Sequence, residues 1–266
     1  MAFHTIRHGT VEYLTADGIG AVHGFTTRFG GVSQGSLSSM NLGANRGDAF
    51  KNVVENYRIL GDAIGFDPNA LVLTRQTHSD IVRVVTKKDA QGLDHRDYPE
   101  CDALVTNTPG TGLVVFTADC TPILFHDPVT GAVGAAHAGW RGTAAGIAAK
   151  TVEAMVANFG CKPENIHAAI GPNIAQCCFE TDQDVPDALF DALGQQVAPY
   201  ISQKGSKYYV NLKEVNALFL RRVGVQHVDI STDCTACQYH RFWSHRITGG
   251  DRGSQGAIIL CKEVSL

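Results

Sequence analysis

Short apolar runs separated by turn-forming residues dominate the middle of the chain. Residues 113–116, 123–125 and 132–136 form three such runs, and their length suits buried strands better than helices. Asp127-Pro128-Val129-Thr130-Gly131 carries a turn signal between the last two. If Asp127 pairs with Ala132 across that turn, His137 falls opposite Pro122. Cys120 lies two positions further along with the same parity. Alternation of side chains then puts Cys120 and His137 on one face as diagonal neighbours. A slip of one residue would separate them.

The period changes downstream. Val152, Met155, Val156 and Phe159 follow an i, i+3, i+4, i+7 spacing, predicting a helix that starts near Thr143. Earlier, Asp48 stands where an N-cap is wanted, Val53, Tyr57, Leu60 and Ile64 form an apolar stripe, and Gly65 stops the helix. The remaining pattern predicts strands at 23–28, 71–74, 81–85, 102–106, 166–170, 208–212, 225–230 and 257–260, with helices over 185–193 and 214–223. Strands and helices mix without strict alternation, which favours α+β over a doubly wound sheet. Nothing resembling a linker, repeat or low-complexity segment divides residues 1–266, so one domain is expected.

Composition narrows the class. Apolar residues make up 44% and charged residues 18% of the chain, as in an ordinary soluble globule. A net charge of −4, with no basic helix face, argues against a nucleic-acid partner. The opening MAFHTIRHGT lacks the apolar core of a signal peptide, and no apolar run approaches a membrane span. A cytoplasmic protein without a membrane partner is expected, monomeric or weakly oligomeric. Eight cysteines in such a chain read as free thiols or ligands rather than disulfides. Cys234 and Cys237 form a C-x-x-C pair; a structural zinc site would want a second such pair, and the sequence shows none.

Chemistry concentrates around His137. A thiolate from Cys120 and an imidazole from His137 on one strand face can reach a single metal ion. Gly139-Trp140-Arg141-Gly142 follows at once, so the predicted helix N-terminus beside Arg141 reads as an anion cradle. Arg28 and Arg46 lie in or beside glycine-rich loops, where anion-binding cations are often placed; a solvated surface arginine is the plainer alternative for each. His78 sits in the connection between the strands at 71–74 and 81–85, where a polar loop residue is the ordinary reading.

The order HGFTTRFGGVS, NLGANRGD, Q-T-H, DALVT, TADC, HAGWRGT, GPNI…CCFE and FWSHR resembles the YfiH-like family from about His23 to Leu260. Its members carry the names multicopper polyphenol oxidase or laccase-domain protein, peptidoglycan editing factor and purine nucleoside phosphorylase. The resemblance implies layered mixed sheets in one catalytic domain and a mononuclear zinc site from His78, Cys120 and His137. It also implies phosphorolysis of adenosine, inosine and methylthioadenosine by inorganic phosphate, with adenosine deamination. The chain departs from the family at Gln76-Thr77-His78-Ser79, where QVHG is expected. It departs again at Ser244-His245-Arg246, where a tyrosine and paired arginines are common.

Three protein donors leave a metal position open, as in catalytic zinc sites, and a metal ion so held can activate water, as deamination requires. For phosphorolysis, phosphate is the nucleophile and arginines would orient it. Asp119 or Asp80 would supply acid–base help. Two histidines and a cysteine are also a copper set, but the nearest downstream methionine, Met155, falls inside a predicted helix. The polyphenol oxidase reading therefore has little support. A further reading makes Cys120 a nucleophile with His137 as its base, giving a cysteine hydrolase or amidase compatible with peptidoglycan editing.

Overall fold

Alternation at residues 113–115 resolves, in the computed structural model of residues 3–93 and 99–262, into two buried faces. Leu113 and Val115 turn into a core shared with Leu104, Leu124 and Ala135. Val114, between them, packs instead with Val53, Tyr57 and Leu60 of a helix. Strands buried on both sides read as continuous apolar runs, which is why this part of the sequence shows so little polar alternation.

The chain passes through β1 (Phe3–His8), β2 (Val11–Ala16), β3 (His23–Thr26), α1 (Phe50–Ile64), β4 (Leu71–Leu73), β5 (Val82–Val84), β6 (Ala103–Thr106) and β7 (Gly112–Thr117). Next come β8 (Thr121–His126), β9 (Val133–Ala138), α2 (Trp140–Ala144), α3 (Ile147–Phe159), β10 (His167–Ile170), β11 (Glu180–Thr181) and α4 (Asp184–Leu193). The last elements are β12 (Ile201–Lys204), β13 (Lys207–Val210), α5 (Leu212–Arg222), β14 (His227–Ile230), α6 (His245–Thr248) and β15 (Gln255–Leu260). One mixed sheet has the order β1-β2-β3-β15-β7-β4, a second β14-β10-β8-β9-β6-β5, and a small antiparallel sheet β11-β13-β12.

The two large sheets meet face to face through the first core. Helix α1 covers the outer face of the first sheet, and α3 with α5 cover that of the second. The result is a single α+β domain of layered mixed sheets, as expected from the sequence. No helix among the described residues is long and apolar enough to cross a membrane.

Several local expectations are corrected. Asp48 does not cap α1; Ala49 holds that position. The Asp48 carboxylate instead accepts from Ser33 Oγ, Asn41 Nδ2 and Asn52 Nδ2, which pins the 41–48 loop. The helix expected from Thr143 is two helices: α2 starts at Trp140, and Gly146 (φ +78) breaks the chain before α3. Val156 faces out at 37% exposure, because the stripe facing the sheet is Ile147, Ala148, Thr151, Val152 and Met155. The strand expected over 208–212 ends at Val210, since Asn211 caps α5 by accepting from the Glu214 N–H. The β1–β2 hairpin was not anticipated; five of the six β1 residues are exposed, so it has no apolar alternation to read.

Candidate active site

The β8–β9 hairpin has the register that the turn implied: Pro122 lies opposite His137 and Thr121 opposite Ala138. Cys120 directly precedes β8, so its thiol reaches the face that His137 presents. His78 arrives from elsewhere. Its loop leaves β4 in the first sheet and joins β5 in the second, crossing between layers at the open end of the hairpin. Gln76 anchors the crossing like an extra strand residue: its Oε1 accepts from the Phe116 N–H at 2.7 Å and its Nε2 donates to the Phe116 carbonyl at 2.8 Å. The donor atoms of His78, Cys120 and His137 all lie within 4.8 Å of one another.

Asp102, which the sequence reading placed only in a strand, ties this set together. Its fully buried carboxylate accepts from the N–H groups of Thr77, His78 and Ser79 at 3.1, 3.1 and 2.8 Å and from Ser79 Oγ at 2.7 Å. It also accepts from His137 Nδ1 at 2.7 Å. Burial works against the charged form, but the bonds from His137 and Ser79 hold Asp102 well below the usual carboxylate range. An ionised carboxylate only accepts, so His137 donates from Nδ1. That is the carboxylate–histidine pairing that orients a metal ligand. Burial opposes the charge of His137, but Cys120 and Asp102 push it up to about 9, and a metal ion would take the place of the proton on Nε2. Cys120 is likewise prepared. Desolvation opposes its ionisation, yet the neighbouring His137 and His78 move it toward thiolate. The donor set therefore fits a metal that prefers nitrogen and sulfur. Asp102→Asn is expected to lower metal affinity about 10- to 100-fold, measured by competition with a chromogenic chelator.

Two non-glycine residues among those described have positive φ, His78 at +60° and Asp119 at +84°. Such conformations persist only where surrounding contacts hold them. Asp102 holds His78. Asp119 is held by Thr235 Oγ1 at 2.6 Å, Ser244 Oγ at 3.0 Å and the Arg246 N–H at 2.6 Å. The glycines of HAGWRG serve close approach. A Cβ at Gly139 would lie 2.5 Å from His78 Nδ1, and one at Gly142 would lie 2.9 Å from the Ser79 carbonyl.

A cavity of about 370 Å³ opens beside the three donors. Trp140, Ile174, Phe179 and Leu212 give it apolar walls, and Arg141, Arg246 and Arg252 line it as cations. None of these arginines makes a salt bridge to a described carboxylate. Arg141 stacks on Trp140, 4.2 Å from the ring centroid. Arg246 donates to the carbonyls of Cys178 and Glu180, both at 2.9 Å. Arg252 is pulled down to about 10 by burial and by Arg46 nearby. Arg46 itself lines an adjacent cleft with Arg75 and Gln76.

Arg28 is not brought to the cavity. Its guanidinium donates to the carbonyls of Ser38 and Tyr239 and stacks on Trp243, which corrects its expected place as an anion contact. Asp80 is also absent, being paired with Lys150. Helix α2 has only five residues, so little dipole accumulates there, and the positive charge of the cavity comes from the arginines instead.

An α+β domain in which two imidazoles and one thiolate converge on a cation-lined cavity defines a candidate metal-binding enzyme site. The chain belongs to the family described as multi-copper polyphenol oxidoreductase laccase, whose model matches residues 22–262. It is 39% identical over 247 residues to "Purine nucleoside phosphorylase YlmD" of Geobacillus stearothermophilus, covering 90% of this chain and 89% of the relative. It is 37% identical over 223 residues to "Purine nucleoside phosphorylase YfiH" of Shigella flexneri, covering 83% and 86%. The crystal structure of YlmD from Geobacillus stearothermophilus superposes with a TM-score of 0.91 at 36% identity over 97% of this chain and 99% of that one.

Proposed function

We propose that the protein is a zinc-dependent purine nucleoside phosphorylase. It takes adenosine, inosine and methylthioadenosine with inorganic phosphate to the free base and the ribose 1-phosphate, and it deaminates adenosine as a side activity. The observation that carries this reading is one cavity lined by His78, Cys120 and three arginines without salt-bridge partners among the described residues, with the His137 donor atom within 4.8 Å of the other two. Asp119 also lines the cavity, so three arginines against one carboxylate leave an excess of positive charge that favours a polyanion. The purine nucleoside phosphorylase names of the relatives agree with it.

In phosphorolysis a phosphate oxygen bonds to the anomeric carbon as the glycosidic carbon–nitrogen bond breaks, and the departing base takes up a proton. Arg141, Arg246 and Arg252 would bind the phosphate and fix its approach, which converts an encounter into an oriented attack. Trp140 and Phe179 offer flat apolar faces to the purine and keep water from the sugar. His78, Cys120 and His137 would hold the zinc, which supplies Lewis acidity when bound. Asp102 engages His137 Nδ1, so that Nε2 would be the nitrogen turned to the metal.

Zinc is favoured over copper because the weak axial methionine of copper sites has no counterpart among the described residues. Met155, the nearest downstream, is fully buried in the core between α3 and the second sheet. One observation favours the cysteine hydrolase instead: Asp102, His137 and Cys120 stand in a line of orienter, base and thiolate. A nucleophile, however, has no use for the second imidazole that His78 brings to the same thiolate.

Arg141→Ala tests the phosphate assignment. Loss of a phosphate clamp should raise the KM for phosphate or lower kcat about tenfold or more, with melting temperature and metal content unchanged. Deamination needs no phosphate and should survive the substitution better than phosphorolysis. A lowered melting temperature with uniform loss of both activities would assign Arg141 to structure.

A further inference from the structure

The C-x-x-C pair left without a partner by sequence spacing finds one in space. Cys177 and Cys178, next to one another after β10, face Cys234 and Cys237, and the four thiol sulfurs lie within 4.8 Å of one another. All eight cysteines are unbridged. The Sγ–Sγ separations are 3.7 Å for Cys177–Cys178, 3.6 Å for Cys177–Cys237 and 3.4 Å for Cys178–Cys237. Four sulfurs arranged tetrahedrally at about 2.3 Å from a central ion stand about 3.8 Å apart. The match fits one ion. An iron–sulfur cluster would hold its thiolates further apart. We propose that Cys177, Cys178, Cys234 and Cys237 form a second, closed metal site, a tetrathiolate that takes one zinc ion and has a structural role.

Independent features of the surroundings suit an anionic metal–thiolate group. Cys234 Sγ accepts the Ala175 N–H at 3.3 Å. Lys213, at 4% exposure, directs its ammonium to the carbonyls of Ser231 and Asp233. Burial pulls Lys213 down to about 8, while Asp233, Cys234 and Cys177 are the charges that support its protonated form. A doubly negative tetrathiolate would add the counter-charge this buried cation lacks in direct contact.

The placement explains what such an ion would do. The 173–180 segment carries Ile174 and Phe179 to one wall of the active cavity, and the 231–246 segment carries His245 and Arg246 to another. They already touch through the Asn173–Cys234 bridge and the bonds from Arg246 to the Cys178 and Glu180 carbonyls. An ion held by two cysteines from each segment would lock the walls together some distance from the His78, Cys120 and His137 donors, with four protein ligands and no position for substrate.

Metal content decides the matter by difference. Cys237→Ser, prepared under reducing conditions and analysed elementally beside wild type, should hold about one zinc per chain less. The Cys120→Ala variant should keep that ion. X-ray absorption on it should show a shell of four sulfurs at about 2.3 Å, a readout that does not require the Cys237→Ser variant to fold. Equal metal content in wild type and Cys237→Ser overturns the site. So does a nitrogen- or oxygen-rich shell in Cys120→Ala, or a disulfide among the four cysteines in protein isolated without air. Iron in place of zinc, recognised by colour, also overturns the zinc assignment.

Discussion

Cys120→Ala should empty the active cavity of its metal and lower kcat/KM for adenosine phosphorolysis on the order of 10³-fold, the scale of several kcal/mol of lost Lewis-acid stabilisation. His78 and His137 without the thiolate are two neutral donors, too few to hold zinc against water. The fold should survive, because the β8–β9 register rests on six paired residues that begin after position 120. A companion experiment separates ligand from nucleophile. Metal shields a bound thiolate, so Cys120 in loaded wild type should resist iodoacetamide and react once the ion is chelated. Fast alkylation of the loaded protein with matching loss of activity would favour the cysteine hydrolase.

Gly139→Ala is expected to act almost as strongly without touching a donor. The added Cβ would lie 2.5 Å from His78 Nδ1 and 3.4 Å from Cys120 Sγ, and His78 cannot retreat while Asp102 holds the N–H groups of residues 77–79. A ligand displaced by about 1 Å costs on the order of 10²-fold in rate, and metal affinity should fall with it. Gly160→Ala is the control. Gly160 ends α3 at φ +68 with open space around its Cβ position, so that change should cost about 1 kcal/mol of stability through backbone strain and leave metal content and rate alone. Equal activity loss in both variants would contradict the crowding argument.

How much of this was legible beforehand follows from the range of the interactions. The β8–β9 register was readable because a short turn fixes it and parity does the rest; Cys120 and His137 came with it. His78 could be tied to the site only by resemblance, since its loop crosses from one sheet to the other and no local period records a crossover. Asp102 was hidden for the same reason. Its role lies in contacts 23 to 35 residues away in sequence, and a lone aspartate at a strand start carries no signal. The cavity's other cations lie in the tail, Arg246 in the one-turn helix α6 and Arg252 in the glycine-rich stretch after it, both too short for a period to read. Arg28 misled because glycine-rich surroundings are a feature of anion loops and of tight structural turns alike. The cysteine cluster shows the limit of spacing rules: a C-x-x-C was sought against another C-x-x-C, and its partner is a vicinal pair 57 residues earlier by the Cys177-to-Cys234 spacing.

Product identification from adenosine, with and without inorganic phosphate, tests the central claim most directly. The account predicts adenine and ribose 1-phosphate in equal amounts when phosphate is present, and no release of adenine when it is withheld. Inosine from deamination should form at a rate that phosphate does not change. Release of adenine at the same rate without phosphate, with plain ribose as the sugar product, would contradict the account and make the protein a hydrolase.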